Sequence, residues 1–403
     1  MELFWLEHKK LWRKKIVKIC VLLCFVYYVI FGSILSFQWF SFGSSDDYTS
    51  AFGNNFDGYT VIKDSQEYAL SFGGELTDET LQQIVSDYQQ MEADGMEEEL
   101  EKTDWQIVNS WLGTLYPELR DTGNYKTMIS YVDPDKLTGF YERRQQVLDE
   151  FLEVSGQVGA EKEFLHQIER KVEKPFHYEW VEGWSTLLGS MVADLGVVMA
   201  LFLGIVLSSL FAGEWHDNTS TLVLTTRNGW GKIALAKILT GLAFTVELFA
   251  LLAVSSVISQ LFFMGTAGWD MPIQNIKLIA VAPMNMLQAE IYEYAFVLLG
   301  AIGFAGIVMF ISAAVKNNVL TLLLSLTVVY GPMMIAEYLP YGMQKALDLI
   351  PLVGSSTDIF RTNTFRIFGK LIWSPYLLIT MPVLIGILCM PFAIKSWSRR
   401  MKA

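Results

Sequence analysis

Few residues in this chain have types and spacings suited to chemistry. Its four histidines, His8, His166, His177 and His216, are too scattered to build a metal site. No G-x-S-x-G or H-E-x-x-H is present. The nearest approach to a phosphate-cradling P-loop is Gly231–Lys232, which lacks the glycine five residues earlier and the following Ser or Thr. The pattern predicts no catalytic residue, no metal site and no ATP hydrolysis on this chain. Two carboxylates, Asp194 and Glu247, fall inside long apolar runs, where charge is costly and often functional. Two readings are open for them: lining a polar path through a helix bundle, or pairing with a neighbouring helix.

The elements that position these groups are read from the apolar runs. The first spans 16–40, follows Lys9, Lys10, Arg13, Lys14 and Lys15, and exceeds the roughly 20 residues that cross a bilayer core. It is longer than the about 7–15-residue core of a signal peptide, and no A-x-A-like site follows, so an uncleaved anchor is expected. Five more runs lie near 186–211, 233–264, 291–314, 319–338 and 375–395. Six spans place both termini in the cytoplasm, in agreement with Lys395, Arg399, Arg400 and Lys402 at the end. The loop 339–374, expected outside, disagrees with that rule in carrying Lys345, Arg361, Arg366 and Lys370. It is too apolar for a free tether, and a re-entrant dip or an amphipathic surface helix both fit. Residues 1–15 show Phe4, Trp5, His8, Leu11 and Trp12 at helical spacing, as in a helix lying in the inner interface.

Residues 41–185 hold 30 of the 42 Asp and Glu but only 11 of the 30 Lys and Arg. An acidic block between basic-edged apolar runs reads as an extracellular domain and excludes a nucleic-acid binder. The block has no cysteine, so packing alone must hold it. It reads as mainly helical, with Thr77 or Asp78 capping one helix, Asp133–Pro134 starting another, and strands or loops in 41–74. Trp180 and Trp184 suit an interfacial belt, and Glu290 and Glu293 read as solvated. The fold expected is therefore an all-α polytopic membrane protein: an interfacial helix (1–15), a first span (16–40), a mainly helical outer domain (41–185) with strand content left open, and spans two to six (186–403).

The most specific segment runs from Phe211 to Lys232 (FAGEWHDNTSTLVLTTRNGWGK), with Lys237 a turn and a half later. It joins the second and third spans through the polar loop 212–232. It resembles the cytoplasmic loop of permease subunits of ATP-binding-cassette exporters, in which a span ends in Glu, a short helix follows, and an Arg and a Lys lead into the next span. That pattern maps onto Glu214, Thr219, Leu222, Leu224, Arg227 and Lys237. The chain departs from it at Asn218, where Gly is commoner, and at Asn228–Gly229. Ser312 with Lys316-Asn317-Asn318, and Leu349-Ile350-Pro351, are further echoes. The resemblance implies a multi-pass plasma-membrane protein whose loop docks on a separate cytoplasmic ATPase binding ATP and Mg. It also implies a second permease subunit, the same or a related chain, and outward movement of a peptide or lipid-like amphiphile. An ATPase-coupled mechanical transmitter or sensor, and an ion-coupled carrier using Glu247 and Asp194, are the alternatives. Gly300, Gly303 and Gly306 form a thin helix face suited to close packing, within the subunit or between subunits.

Overall fold

The computed structural model describes residues 2–42, 62–63, 66–67, 73–95, 105–121, 127–217, 219, 231–354 and 362–399. Helix α1 (Glu2–Arg13) breaks at Lys14 and gives way to α2 (Lys15–Phe42), 28 residues long. Five later helices are long and apolar enough to cross a membrane: Glu182–His216, Lys232–Met264, Met286–Val315, Asn318–Tyr338 and Ser374–Ser398. They match the five later apolar runs, and the protein is accordingly a mainly helical chain suited to a membrane.

The acidic block contributes α3 (Asp78–Ala93), α4 (Trp105–Leu115), α5 (Phe140–Val154) and α6 (Ala160–Glu169). Thr77 Oγ1 accepts from Thr80 N at 3.2 Å and caps α3. Asp78 works elsewhere: its carboxylate accepts from Gly139 N at 2.7 Å and Phe140 N at 2.9 Å, so it caps α5 across the domain. Gly139 takes a left-handed backbone (φ 72°) to make that turn. Asp133–Pro134 opens only a 3₁₀ turn, Pro134–Lys136, and the α-helix waits until Phe140. In the stretch expected to hold strands, most of 41–74 lies outside the described residues. Its end supplies β1 (Gly74–Glu75), antiparallel to β2 (His177–Tyr178).

The chain is helical across position 185. Helix α7 (Glu182–Thr186) passes through a π-helical turn, Leu187–Met191, straight into α8 (Val192–His216). The connection from α9 (Lys232–Met264) to α10 (Met286–Val315) folds back into the block. Trp111 Nε1 donates to Asn275 O at 3.0 Å, and Arg144, fully buried, donates to Leu278 O at 2.6 Å and Ala280 O at 3.1 Å. Trp180 and Trp184 are buried too, against the interfacial expectation. Their indole N–H groups hold Met264 O (3.2 Å) and Thr266 O (3.3 Å). They therefore lock the end of α9 to the start of α7.

Among the spans, α10 packs most against α8 and α13 (Ser374–Arg399). The glycine face explains how closely. A Cβ at Gly303 would lie 2.3 Å from Pro382 O, and one at Gly306 would lie 2.7 Å from Gly386 Cα. The same face receives Leu352, against Gly300, and Pro351, against Gly303. Of the two packing options, the contacts described are within the subunit. The loop after α11 (Asn318–Ile335) forms a short helix, α12 (Tyr341–Leu347), and its Pro351 and Leu352 then lie against α10. Pro351 and Pro382 meet the same glycine, and Pro382 is eight residues, about 12 Å, into α13. The hairpin β3 (Thr364–Ile367) and β4 (Lys370–Trp373) then leads into α13.

Two outcomes follow. Gly303→Ala is expected to cost about 1–3 kcal/mol by overpacking, seen as a lower unfolding temperature in detergent, while Gly331→Ala, whose Cβ would meet only Thr327 at 3.5 Å, is tolerated. Burial alone would raise the Glu169 pKa, but hydrogen bonds from Lys174 and Arg144 outweigh it and hold the carboxyl below its ordinary 4.5. Its ion pairs thus stabilise fully above that value and fade as pH falls through the depressed one. Glu169→Gln should cost about 3 kcal/mol at neutral pH by stranding buried Arg144, and the gap to wild type should narrow on acidification below 4.5.

Candidate functional site

The polar cluster best placed to do work sits where α8 ends and α9 begins. Glu214, in the last turn of α8, is 4% exposed, and Lys237, in the second turn of α9, is 2% exposed. Lys237 Nζ lies 2.8 Å from Glu214 Oε1 and 2.7 Å from Glu7 Oε2 of α1. Lys10, also of α1, reaches the same Glu214 oxygen at 2.5 Å. Thr219 donates its hydroxyl to Glu214 Oε2, and its N–H donates to Glu214 O at 3.0 Å. Two carboxylates and two ammoniums thus alternate, Glu7–Lys237–Glu214–Lys10. Burial alone would lower the Lys10 pKa, but the hydrogen bond and charge of Glu214 raise it overall. Lys14, whose Nζ donates to Ser209 Oγ at 3.0 Å, is lowered by burial and then by the nearby Lys237 and Lys10.

Of the six positions mapped from the resemblance, Glu214, Thr219 and Lys237 are therefore brought together. Leu222, Leu224 and Arg227 lie outside the described residues, as do Asn218 and Asn228–Gly229. The partners Glu7 and Lys10 were not singled out from the sequence. They are more than 200 positions away from Glu214 and Lys237, and no local spacing links them to those two residues.

Adjacent contacts brace the same end. Ser312 Oγ, fully buried in α10, accepts from Phe211 N (3.1 Å) and Ala212 N (3.0 Å) and donates to Ser208 O (2.7 Å). Lys316 Nζ sits 4.3 Å over the Trp215 ring, and Trp397 of α13 packs on Phe211 and Trp215. The last turn of α8 is thus held by α1, α9, α10 and α13.

The carboxylates within the spans have partners of their own. Glu247 is 43% exposed at its side chain and faces α1: Trp12 Nε1 donates to Oε2 at 3.0 Å, and His8 Nε2 lies 3.2 Å from Oε1. Tyr27 of α2 donates its hydroxyl to Asp194 Oδ1 at 3.0 Å. Both contacts join a later span to the N-terminal helices. Glu290 and Glu293 depart from expectation. They are 3% and 0% exposed, because the first turns of α10 lie inside the packed region shared with the acidic block. Hydropathy at a run's edge could not distinguish such a site from a wet one. Among the described residues, no group of three His, Cys, Asp or Glu is arranged to hold a metal ion.

No family model, curated protein or solved structure matches this chain.

Removing one partner of a buried ion pair leaves the other charge stranded and typically costs about 3–5 kcal/mol. Lys237→Met and Glu214→Gln should each lower thermal stability in detergent by that order. Their double variant should fall by clearly less than the sum, since each leaves the other without its principal partner. Additive losses in that cycle would show that the pair is not coupled.

Proposed function

We propose that this chain is the membrane-spanning permease subunit of an ATP-driven exporter, coupling a separate ATPase to outward movement of an amphiphilic substrate such as a peptide or lipid-like molecule. In this reading α2 and the five later apolar helices make six spans, both termini are cytoplasmic, and residues 41–185 are extracellular at the plasma membrane. The 212–232 loop is the docking element for the ATPase, which binds ATP and Mg on its own chain. A second permease subunit, the same or related, completes the path.

One observation carries the reading: both ends of the loop are fastened by a buried ion network that also includes α1. A handle must be stiff where it joins what it moves. With Glu214 tied to Lys237, and α1 tied to both through Lys10 and Glu7, a push on the loop displaces α8 and α9 together. Helix α2 follows, because only Lys14 separates it from α1. The spacing of Glu214 and Lys237 about an otherwise polar loop is what the resemblance contributes.

A mechanical transmitter or sensor has one specific observation in its favour. Helix α7 runs into α8 through the π-helical turn, so a displacement of α8 reaches the outer domain without crossing a flexible linker. ATP-dependent uptake into inside-out vesicles separates the two: an exporter accumulates substrate, and a transmitter does not. The ion-coupled carrier loses ground because Glu247 and Asp194 each contact the N-terminal helices.

The sidedness test comes first. In a background with Cys389→Ser, Thr226→Cys should resist a membrane-impermeant maleimide in intact cells and react once the membrane is opened. Labelling in intact cells would end the proposal. An ATPase should co-purify with wild type and be lost on Leu222→Asp with Leu224→Asp, with the permease level unchanged.

A further inference from the structure

A groove of about 790 Å³ lies between the first turns of α1 and those of α9. Its size is within the range of ligand sites. The two helices run in the same sense, since Glu7 meets Lys237, while Trp12, further along α1, meets Phe244, further along α9. Lys232, Leu235, Leu239 and Ala243 line the groove and follow helical spacing, so they form one stripe of α9. Lys237 and Phe244 fall on a separate stripe, and the ion network therefore leaves the groove open.

The apolar lining is accessible. Leu235 and Leu239 are 49% and 45% exposed, and Leu3 and Phe4 of α1 are partly exposed beside them. From Lys232 to Ala243 the stripe extends about 16 Å along the helix. That is close to half of the roughly 30 Å hydrocarbon core, the reach of one acyl chain.

The setting says what fills it. Helix α9 is long and apolar enough to cross a membrane. The outward side of α1 exposes Trp5 and Leu6 and then Lys9 and Arg13, the composition of a helix at the boundary of headgroups and acyl chains. A groove beside the first turns of that helix meets the same boundary, where the apolar occupant at hand is a lipid.

The rim narrows the choice of lipid. Glu2 and Lys232, the first residues of the two helices, are both exposed and line the groove where those helices start. Neither has a hydrogen-bond or ion-pair partner among the described residues. One carboxylate and one ammonium beside an apolar channel complement a headgroup that carries a phosphate and an N–H cation. A trimethylated ammonium has no N–H for Glu2, and a glycerol headgroup has no cation.

We infer that this groove holds one phospholipid with a primary-ammonium headgroup, its acyl chain along Leu235 and Leu239, its phosphate at Lys232 and its ammonium at Glu2. The site requires that α9 lie in a membrane and requires neither transport nor an ATPase, so it stands or falls apart from the exporter reading.

The test is native mass spectrometry of the full chain, released from detergent micelles and titrated with dioleoyl phosphatidylethanolamine. Wild type should retain one such lipid in preference to the phosphatidylcholine and phosphatidylglycerol of the same chains by about five-fold, the worth of one net hydrogen bond. Glu2→Gln, at an exposed helix end, should erase that preference, and Lys232→Gln should weaken all three lipids alike. Leu239→Trp, which fills the groove from an exposed position, should abolish retention with the unfolding temperature unchanged. A diazirine on the acyl chain of the phosphatidylethanolamine should label Phe4, Leu235 or Leu239. No retained lipid, equal retention of the three lipids by wild type, an unchanged preference in Glu2→Gln, or labels confined to other helices would each overturn the inference.

Discussion

A buried ammonium cannot be left alone, and much of this molecule is arranged around that constraint at Lys237. Out of reach of water, its charge must be met by carboxylates at contact distance, and those come from two other elements, Glu214 of α8 and Glu7 of α1. The requirement works in both directions, since Glu214 is equally buried and needs Lys237 and Lys10. Separating α1, α8 or α9 from the others strands a charge. The helices at this end are therefore held by electrostatic necessity as well as by apolar packing. Ser312 extends the same logic to α10 with neutral groups, accepting two N–H donors from the last turns of α8.

The other end is built on different physics. Here buried donors meet backbone carbonyls: Arg144 on Leu278 and Ala280, Trp111 on Asn275, Trp180 on Met264, and Trp184 on Thr266. All four carbonyl sets belong to the end of α9 or to the connection that follows it. The acidic block and the spans thus share one packed region.

What was legible in the sequence follows from this division. The apolar runs were legible because hydrophobic length is a local signal, and five helices match them within a few residues. The Thr77 cap and the glycine face were legible for the same reason. The second role of Asp78, capping α5 from 62 positions away, was not. Nor were the seats of Trp180 and Trp184, or the burial of Glu290 and Glu293, because a folded connection covers positions that hydropathy places at a wet edge. At the candidate site, Glu214, Thr219 and Lys237 were found through pattern resemblance, while Glu7 and Lys10 were invisible. Ion pairs spanning more than 200 residues leave no trace in spacing.

Together the two ends limit how the chain can move. Helices α8 and α9 are clasped at one end by Glu214 and Lys237, and at the other by the Trp180 and Trp184 indoles gripping Met264 and Thr266. Two helices fastened at both ends cannot slide past one another without breaking a buried ion pair or exposing buried carbonyls. Any displacement applied to the loop between them turns the pair as one body. Compliance must then be sought in other packing: α11 is the least enclosed of the five apolar helices. In the proposed exporter, a rigid pair beside a less enclosed neighbour would convert a local push into a change of spacing between helices, and the unbroken run from α8 to α7 would carry that push to the acidic block.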